Sequence, residues 1–329
     1  MTIVGSSRHR AIILAFVLSV LVSPVRAENL DLKVPIDAGA RLSDAWNIRY
    51  DAEFGYSKQA ARDGLVPAEI DFWSHNIAAL KQQSHDFYYG AGLGISELTY
   101  EDDVTAVVGL PASRSVSRSL EIFAEAEFAV SHFRIHTKLT AGIDDHEFSR
   151  PDSFSGSIAF ASTSGHHFSG EIDFFTDFVL YDNLLVRPLV GIDFLTTETG
   201  EIRESGAGIF NLVADGIRDN RYRSEVGVFL ASAFETEDGN TVSFGGTAQW
   251  IHNFRTQPVS VNASTALGVP VGAVLLFPGI DQNGILLNGG MQWRSSQGFE
   301  LTLGYEGEFY DSLESHTFGA RLILPISNN

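Results

Sequence analysis

The 329-residue chain contains no cysteine. That removes disulfide frameworks, thiolate metal sites and thiol nucleophiles from consideration. Basic residues are scarce: Lys and Arg number 22 against 41 Asp and Glu, for a formal net charge of −19. A protein that grips nucleic acid needs a basic footprint, so nucleic acid is excluded as a partner. After Val22 no apolar run approaches the ~20 residues that a membrane-crossing helix requires. No later stretch shows the spacing of a long amphipathic helix either.

One apolar run does occur, at the start. Arg8-His9-Arg10 precede Ala11–Val22 (AIILAFVLSVLV), and Val25-Arg26-Ala27 follows with a cleavage-type pattern. This reads as a secretory signal over residues 1–27, cleaved near Ala27. The rival reading is an uncleaved anchor, for which the run is short. Cleavage removes three arginines and no acids, so Lys+Arg falls from 22 to 19 against 41 acids and the net charge becomes −22. The remainder is open to two readings at this point. One is a soluble, exported β-protein. The other is a membrane β-barrel, whose signal lies in alternation rather than in runs.

Alternation is what the rest of the chain is rich in. Phe299–Phe309 (FELTLGYEGEF) sets Phe299, Leu301, Leu303, Tyr305 and Phe309 against Glu300, Thr302, Glu306 and Glu308. The same period recurs in WNIRYDAEFGY from Trp46, LEIFAEAEFAV from Leu120, FRIHTKLTA from Phe133, FSGEIDFFTDFVL from Phe168 and RYRSEVGVFL from Arg221. A period of two over about ten residues marks a strand of membrane-barrel length. Twelve strands are predicted, near 46–56, 70–82, 86–100, 119–130, 133–146, 167–180, 184–197, 220–235, 241–254, 284–294, 299–310 and 315–325. The second of these alternates poorly. Short connections (Ser131-His132, Asp182-Asn183, Glu237–Asn240, Ser295–Gly298) alternate with long ones (57–69, 101–118, 147–166, 198–219, 255–283). Outer-membrane barrels pair short periplasmic turns with longer external loops in this way. Aromatic strand ends such as Phe54, Tyr56, Phe87, Tyr89, Trp250, Phe254, Phe309 and Tyr310 suit the two interfacial girdles. The prediction is an all-β fold over residues 45–329: a transmembrane antiparallel β-barrel of twelve strands. Its apolar face meets lipid and its charged face a wet lumen.

Several stretches resemble a known family, the C-terminal translocator barrel of autotransporters (type V secretion). Pro188-Leu-Val-Gly-Ile-Asp-Phe194 leads to Gly200–Gly208 (GEIRESGAG), then Asn211-Leu212-Val213, then Arg223-Ser224-Glu225-Val226-Gly227. Trp250–Phe254 and Leu303–Phe309 also fit. The last strand, Thr317–Leu324, resembles the family's C-terminal assembly signal, with Thr317, Gly319, Leu322 and Leu324 at its positions. The chain departs from the family's aromatic terminus and continues Pro325-Ile-Ser-Asn-Asn329. The resemblance implies the outer membrane of a Gram-negative-type bacterium, with lipid, lipopolysaccharide and the barrel-assembly machinery as partners. It also implies passage of a passenger through the barrel. Here only residues 28–44 (ENLDLKVPIDAGARLSD) lie between signal and barrel. They are too few to fold alone, so they are expected to form a linker or plug segment, and the chain to have essentially no passenger domain of its own. Two alternatives stay open. One is a passive, weakly cation-selective pore. The other is a surface-exposed adhesion- or antigen-type barrel that binds an extracellular ligand through the loops at 101–118, 147–166 and 255–283.

Alternation also assigns the interior. The candidate lumen-lining residues are Arg49, Asp51, Glu53, Gly90, Gly92, Gly94, Glu125, Glu127, Arg134, Lys138, Glu171, Asp173, Arg187, Arg223, Glu225, Glu300, Glu306 and Glu308, with Glu121 and Asp177 beside them. Acids outnumber bases, which concentrates cations and repels anions, unless the charges pair across strands. Gly90-Ala-Gly-Leu-Gly94 lacks the lysine and helix of a phosphate-binding loop. The glycine row either borders an inserted segment such as residues 28–44 or serves packing and curvature. His166-His167 and Asp144-Asp145-His146, near the loop at 147–166, have no defined ligand set. Neither His252, on the apolar face, nor His136, between Arg134 and Lys138, has a nucleophile beside it on its own face. No metal, cofactor, catalytic residue or enzyme activity is predicted.

Overall fold

The computed structural model describes residues 46–60, 67–84, 86–102, 113–152, 156–180, 183–255, 260–276 and 281–326. The predicted signal (1–27) and linker (28–44) lie outside the described residues, as do Asp182 and parts of the loops at 57–69, 101–118, 147–166 and 255–283. The strands are β1 (Trp46–Gln59), β2 (Ala68–Ser84), β3 (Phe87–Asp102), β4 (Arg114–Val130), β5 (Phe133–Pro151), β6 (Ile158–Phe175), β7 (Phe178–Leu180), β8 (Leu184–Thr199), β9 (Ile202–Arg203), β10 (Leu212–Ala214), β11 (Arg218–Glu235), β12 (Thr241–Asn253), β13 (Ser260–Thr265), β14 (Pro270–Leu276), β15 (Asn283–Arg294), β16 (Glu300–Phe309) and β17 (Leu313–Pro325). Among the described residues no helix is long and apolar enough to cross a membrane; strands do the crossing.

Twelve strands (β1 to β6, β8, β11, β12, β15, β16 and β17) pair antiparallel in chain order. The last returns to the first, from Asn47↔Pro325 to Gln59↔Leu313, and β8 joins β11. The sheet therefore has no edge, and the twelve-stranded barrel is closed. The lipid-side consequence is visible in single residues: Leu93, Ile122 and Ile143 point outward and stand 54%, 61% and 64% exposed. A belt of this kind suits hydrocarbon, where a closed ladder satisfies every backbone group internally. Near the short-turn end Trp46 meets Tyr89 edge to face. Toward the other rim Phe54 stacks on Phe318, and Tyr305 packs against the same ring.

β2 is more regular than its sequence. Ala68, Ile70, Phe72, Ser74, Asn76, Ala78 and Leu80 all face inward, with every second residue between them outward. Its pattern is hidden because Ile70 and Phe72 are apolar yet point into the interior, where they pack with Leu98 and Tyr100. Several strands also outrun their predicted ends. β5 and β6 stay paired up to Pro151↔Ile158, so the long loop expected at 147–166 shrinks to 152–157. β3 likewise reaches Asp102, and β4 starts at Arg114. The added turns of ladder carry polar groups on both faces, such as Ser115 and Ser117 inside and Arg118 and Glu147 outside. Hydrophobic alternation cannot register them. β4, β5 and β6 run 17 to 19 residues, whereas β12, β15, β16 and β17 run 10 to 13, so one wall of the rim is taller.

The strand expected at 167–180 is broken in two. β6 pairs β8 down to Phe175↔Leu189, and β7 resumes the same register at Phe178↔Val186. The gap falls opposite Pro188, which has no N–H to give the ladder. Above the rim, β9, β10, β13 and β14 form a four-stranded sheet that alternation did not predict. The upper edge of β6 is covered by this region: Phe160 and Ser205 exchange backbone hydrogen bonds at 2.8 Å, and Gly200 N–H donates to Ser164 at 2.9 Å. An edge that would otherwise template association is thereby closed.

Candidate functional site

The interior wall is the site with chemistry in it. Every second residue of each strand faces inward, and three groups of charges result. In the first, Arg49 on β1 reaches Asp51 at 2.8 Å and Glu125 of β4 at 2.6 Å. Asp51 also takes Arg321 of β17 at 2.7 Å, and Ser74 Oγ donates to Glu53 at 2.9 Å. Ala78 and Gly92 stand between them in the ladder, and Arg49 passes over the Phe123 ring that fills the space above Gly92. In the second, Arg134 contacts Glu127, and Arg187 donates twice to Asp177, at 2.5 and 2.9 Å. Arg187 is sandwiched between the rings of Phe175 and Phe229, at 4.4 and 5.7 Å. In the third, Arg223 of β11 serves three carboxylates: Asp193 at 3.0 Å, Glu308 of β16 at 2.8 Å, and Glu225.

The remaining predicted residues are placed as follows. Lys138 lies opposite Glu125 and Glu171 in the two ladders, with its ammonium 5.2 Å above the Phe123 ring. Glu171 and Asp173 are buried on β6, beside His136. Glu300 takes Arg294 at 2.7 Å and Gln292 at 2.5 Å. Glu306 is inward on β16, opposite Asn288 and Thr317. On β17, Thr317 and Gly319 face in while Leu322 and Leu324 face out. The space above the glycine row of β3 is taken by side chains of the neighbouring strands. A β-carbon on Gly90 would come within 2.4 Å of Leu80, on Gly92 within 2.4 Å of Phe123, and on Gly94 within 2.2 Å of Asn76.

The family profile of the autotransporter beta-domain matches residues 52–306. The chain belongs to the autotransporter beta-domain family. It is similar to the translocator domain of the autotransporter NalP from Neisseria meningitidis at 9% identity and a TM-score of 0.68, covering 86% of this chain and 89% of that one. The beta domain of the Bordetella autotransporter BrkA gives 13% identity and a TM-score of 0.59, with 84% and 99% covered. The transport unit of AIDA-I from Escherichia coli gives 10% and 0.51, with 96% and 97% covered. At such identities the likeness is one of fold. No curated protein matches the chain. As an autotransporter beta-domain, the barrel resides in the Gram-negative outer membrane.

The autotransporter barrel also holds interior residues that the alternation argument passed over. Asp193, Arg294 and Arg321 complete the charge groups, and each lies directly opposite an assigned residue in a ladder: Asp193 opposite Glu171 and Arg223, Arg294 opposite Glu300, and Arg321 opposite Asp51. Each falls on the inward parity of a strand that alternation locates. The Glu204–Gly208 motif lies outside the lumen proper. Glu204 receives Arg150 of β5 at 2.9 and 2.6 Å and the Leu212 N–H at 2.8 Å. Gly206 sits at φ +101, where a β-carbon would lie 2.5 Å from the Ile158 carbonyl. The motif is a clamp that ties the β8–β11 connection to the tall wall. His167, weighed as a rim ligand, is inward instead, with Nδ1 2.9 Å from Asp144.

Proposed function

We propose that this barrel is a translocator-type conduit whose lumen accommodates an extended polypeptide, in the first instance residues 28–44 of its own chain. The observation that carries the reading is how the interior charges are spent. Arg49–Glu125 and Arg223–Glu308 join strands that are not neighbours, which commits acids and bases to the wall and favours a wetted polar surface over a ligand pocket. β1 starts at the short-turn end, so a segment ahead of Trp46 meets the barrel there. Fully extended, residues 28–44 reach about 56 Å at ~3.3 Å each. The 14-residue β1, tilted about 40°, rises roughly 35 Å. The segment is long enough to run the height of the lumen. In the same reading the barrel-assembly machinery recognises β17 through Thr317, Gly319, Leu322 and Leu324, and lipopolysaccharide meets the outward Lys58, Arg114 and Arg118.

Planar-bilayer conductance of the full chain and of a variant lacking residues 28–44 tests this. The full chain should be nearly silent, and the deletion should open currents with cation preference, since acids exceed bases inside. Equal open-channel currents from both would replace this reading with a passive pore. A surface-binding role is the second reading, favoured by the four-stranded sheet and by Ile209, Phe210, Leu267 and Val269, all exposed above the rim. Adhesion of whole cells that survives deletion of residues 260–276 removes it.

A further inference from the structure

We propose that the barrel wall binds a divalent metal ion at His136, Glu171 and Asp173. His136 faces the lumen from β5, directly opposite Asp173 of β6, and Glu171 is the next inward residue on β6. All three are buried. One donor atom from each lies within 4.8 Å of the other two. His136 Nδ1 stands 3.9 Å from a carboxylate oxygen of Asp173. That is too long for a direct hydrogen bond. It fits two donors of one ion, because bonds of about 2.0–2.2 Å place neighbouring ligands roughly 3–4 Å apart. The inward His167 is different: its 2.9 Å separation from Asp144 is that of a hydrogen bond.

The surrounding charge favours a cation. Glu171 lies opposite Asp193 in the β6–β8 ladder, and Asp193 is linked through Arg223 to Glu225 and Glu308. Lys138, Arg134 and Arg223 are set among these carboxylates together with Asp173 and Glu127; the acids outnumber them, and that excess favours a divalent cation. One imidazole nitrogen with two carboxylates disfavours Ca²⁺ and Mg²⁺, which take oxygen ligands. The absence of thiolate disfavours Cu⁺. Zn²⁺ or Mn²⁺ fits the set, with a further position left to water. Glu171 and Asp173 sit on the ladder of a closed barrel, so the donors are held in place before any ion arrives. Sequence spacing gave no warning of this site, because the third donor comes from the neighbouring strand.

Full-length barrel refolded in detergent and stripped with chelator is titrated with ZnCl₂ by calorimetry and with MnCl₂ by electron paramagnetic resonance. The expected result is one ion per folded barrel. His136→Gln and Asp173→Asn should each weaken binding by at least about tenfold, whereas His166→Gln, an exposed rim change, should not. Heat-modifiable migration verifies that each variant is folded, and Glu171→Gln replaces any variant that is not. Absence of binding by the folded wild-type barrel overturns the proposal. Binding that survives both His136→Gln and Asp173→Asn, or that is lost with His166→Gln, overturns it as well.

Discussion

Arg223 holds one positive charge among Asp193, Glu225 and Glu308, inside a wall where Glu225 is 2% exposed. Removing a buried partner leaves its carboxylates uncompensated, which costs more than the pair contributed. Arg223→Met should therefore lower unfolding stability by about 3–5 kcal/mol. Arg118 on the outer face, between Glu97 and Glu147, is solvent-exposed, and Arg118→Ala should leave the urea midpoint unchanged. Phe123 fills the space over Gly92 and carries Arg49 and Lys138 on its ring. Phe123→Ala should cost about 3 kcal/mol, read as a lower urea midpoint for the folded, slow- or fast-migrating band. Leu303 and Glu306 stand on opposite faces of β16. An arginine at Leu303 should cost about 2–4 kcal/mol near the membrane midplane, while Glu306→Arg should change conductance and leave stability nearly intact. Equal tolerance of both would contradict the assigned faces.

Among elements, the connection between β8 and β11 depends on the Arg150–Glu204 pair, a two-point contact that also receives Leu212 N–H. Arg150→Ala should expose residues 200–217 to added protease while the barrel itself keeps its heat-modifiable migration; an unchanged cleavage pattern would show that the clamp does not hold this connection. What could be read beforehand follows from what alternation measures. All twelve barrel strands were legible because one face of each meets lipid. Their upper extensions were not, because residues such as Ser115, Ser117, Arg118 and Glu147 are polar on both faces there. The β6–β7 break was not legible from alternation either, since register is unbroken and the cause is the missing N–H of Pro188 on the adjacent strand. The small sheet of β9, β10, β13 and β14 is assembled from strands of two to seven residues, too short to show a period.

At the scale of the molecule, closure of β17 on β1 turns a half-apolar sheet inside out: Leu303, Ile122 and Ile143 face lipid, and Glu300, Glu125 and Arg223 face the interior. How the inward charges pair was not legible from alternation, because Arg49 meets Glu125, and Arg223 meets Glu308, only after the barrel has closed. The natural lack of cysteine makes the central claim directly measurable. Single cysteines at Leu303 and Glu306 can be spin-labelled in the full chain reconstituted in bilayers, and their collision rates with oxygen and with a water-soluble nickel chelate compared. The account predicts that Leu303→Cys relaxes with oxygen and is shielded from nickel, and that Glu306→Cys shows the reverse. The same oxygen preference at both sites, or the opposite assignment, would contradict an outer-membrane barrel with a charged interior.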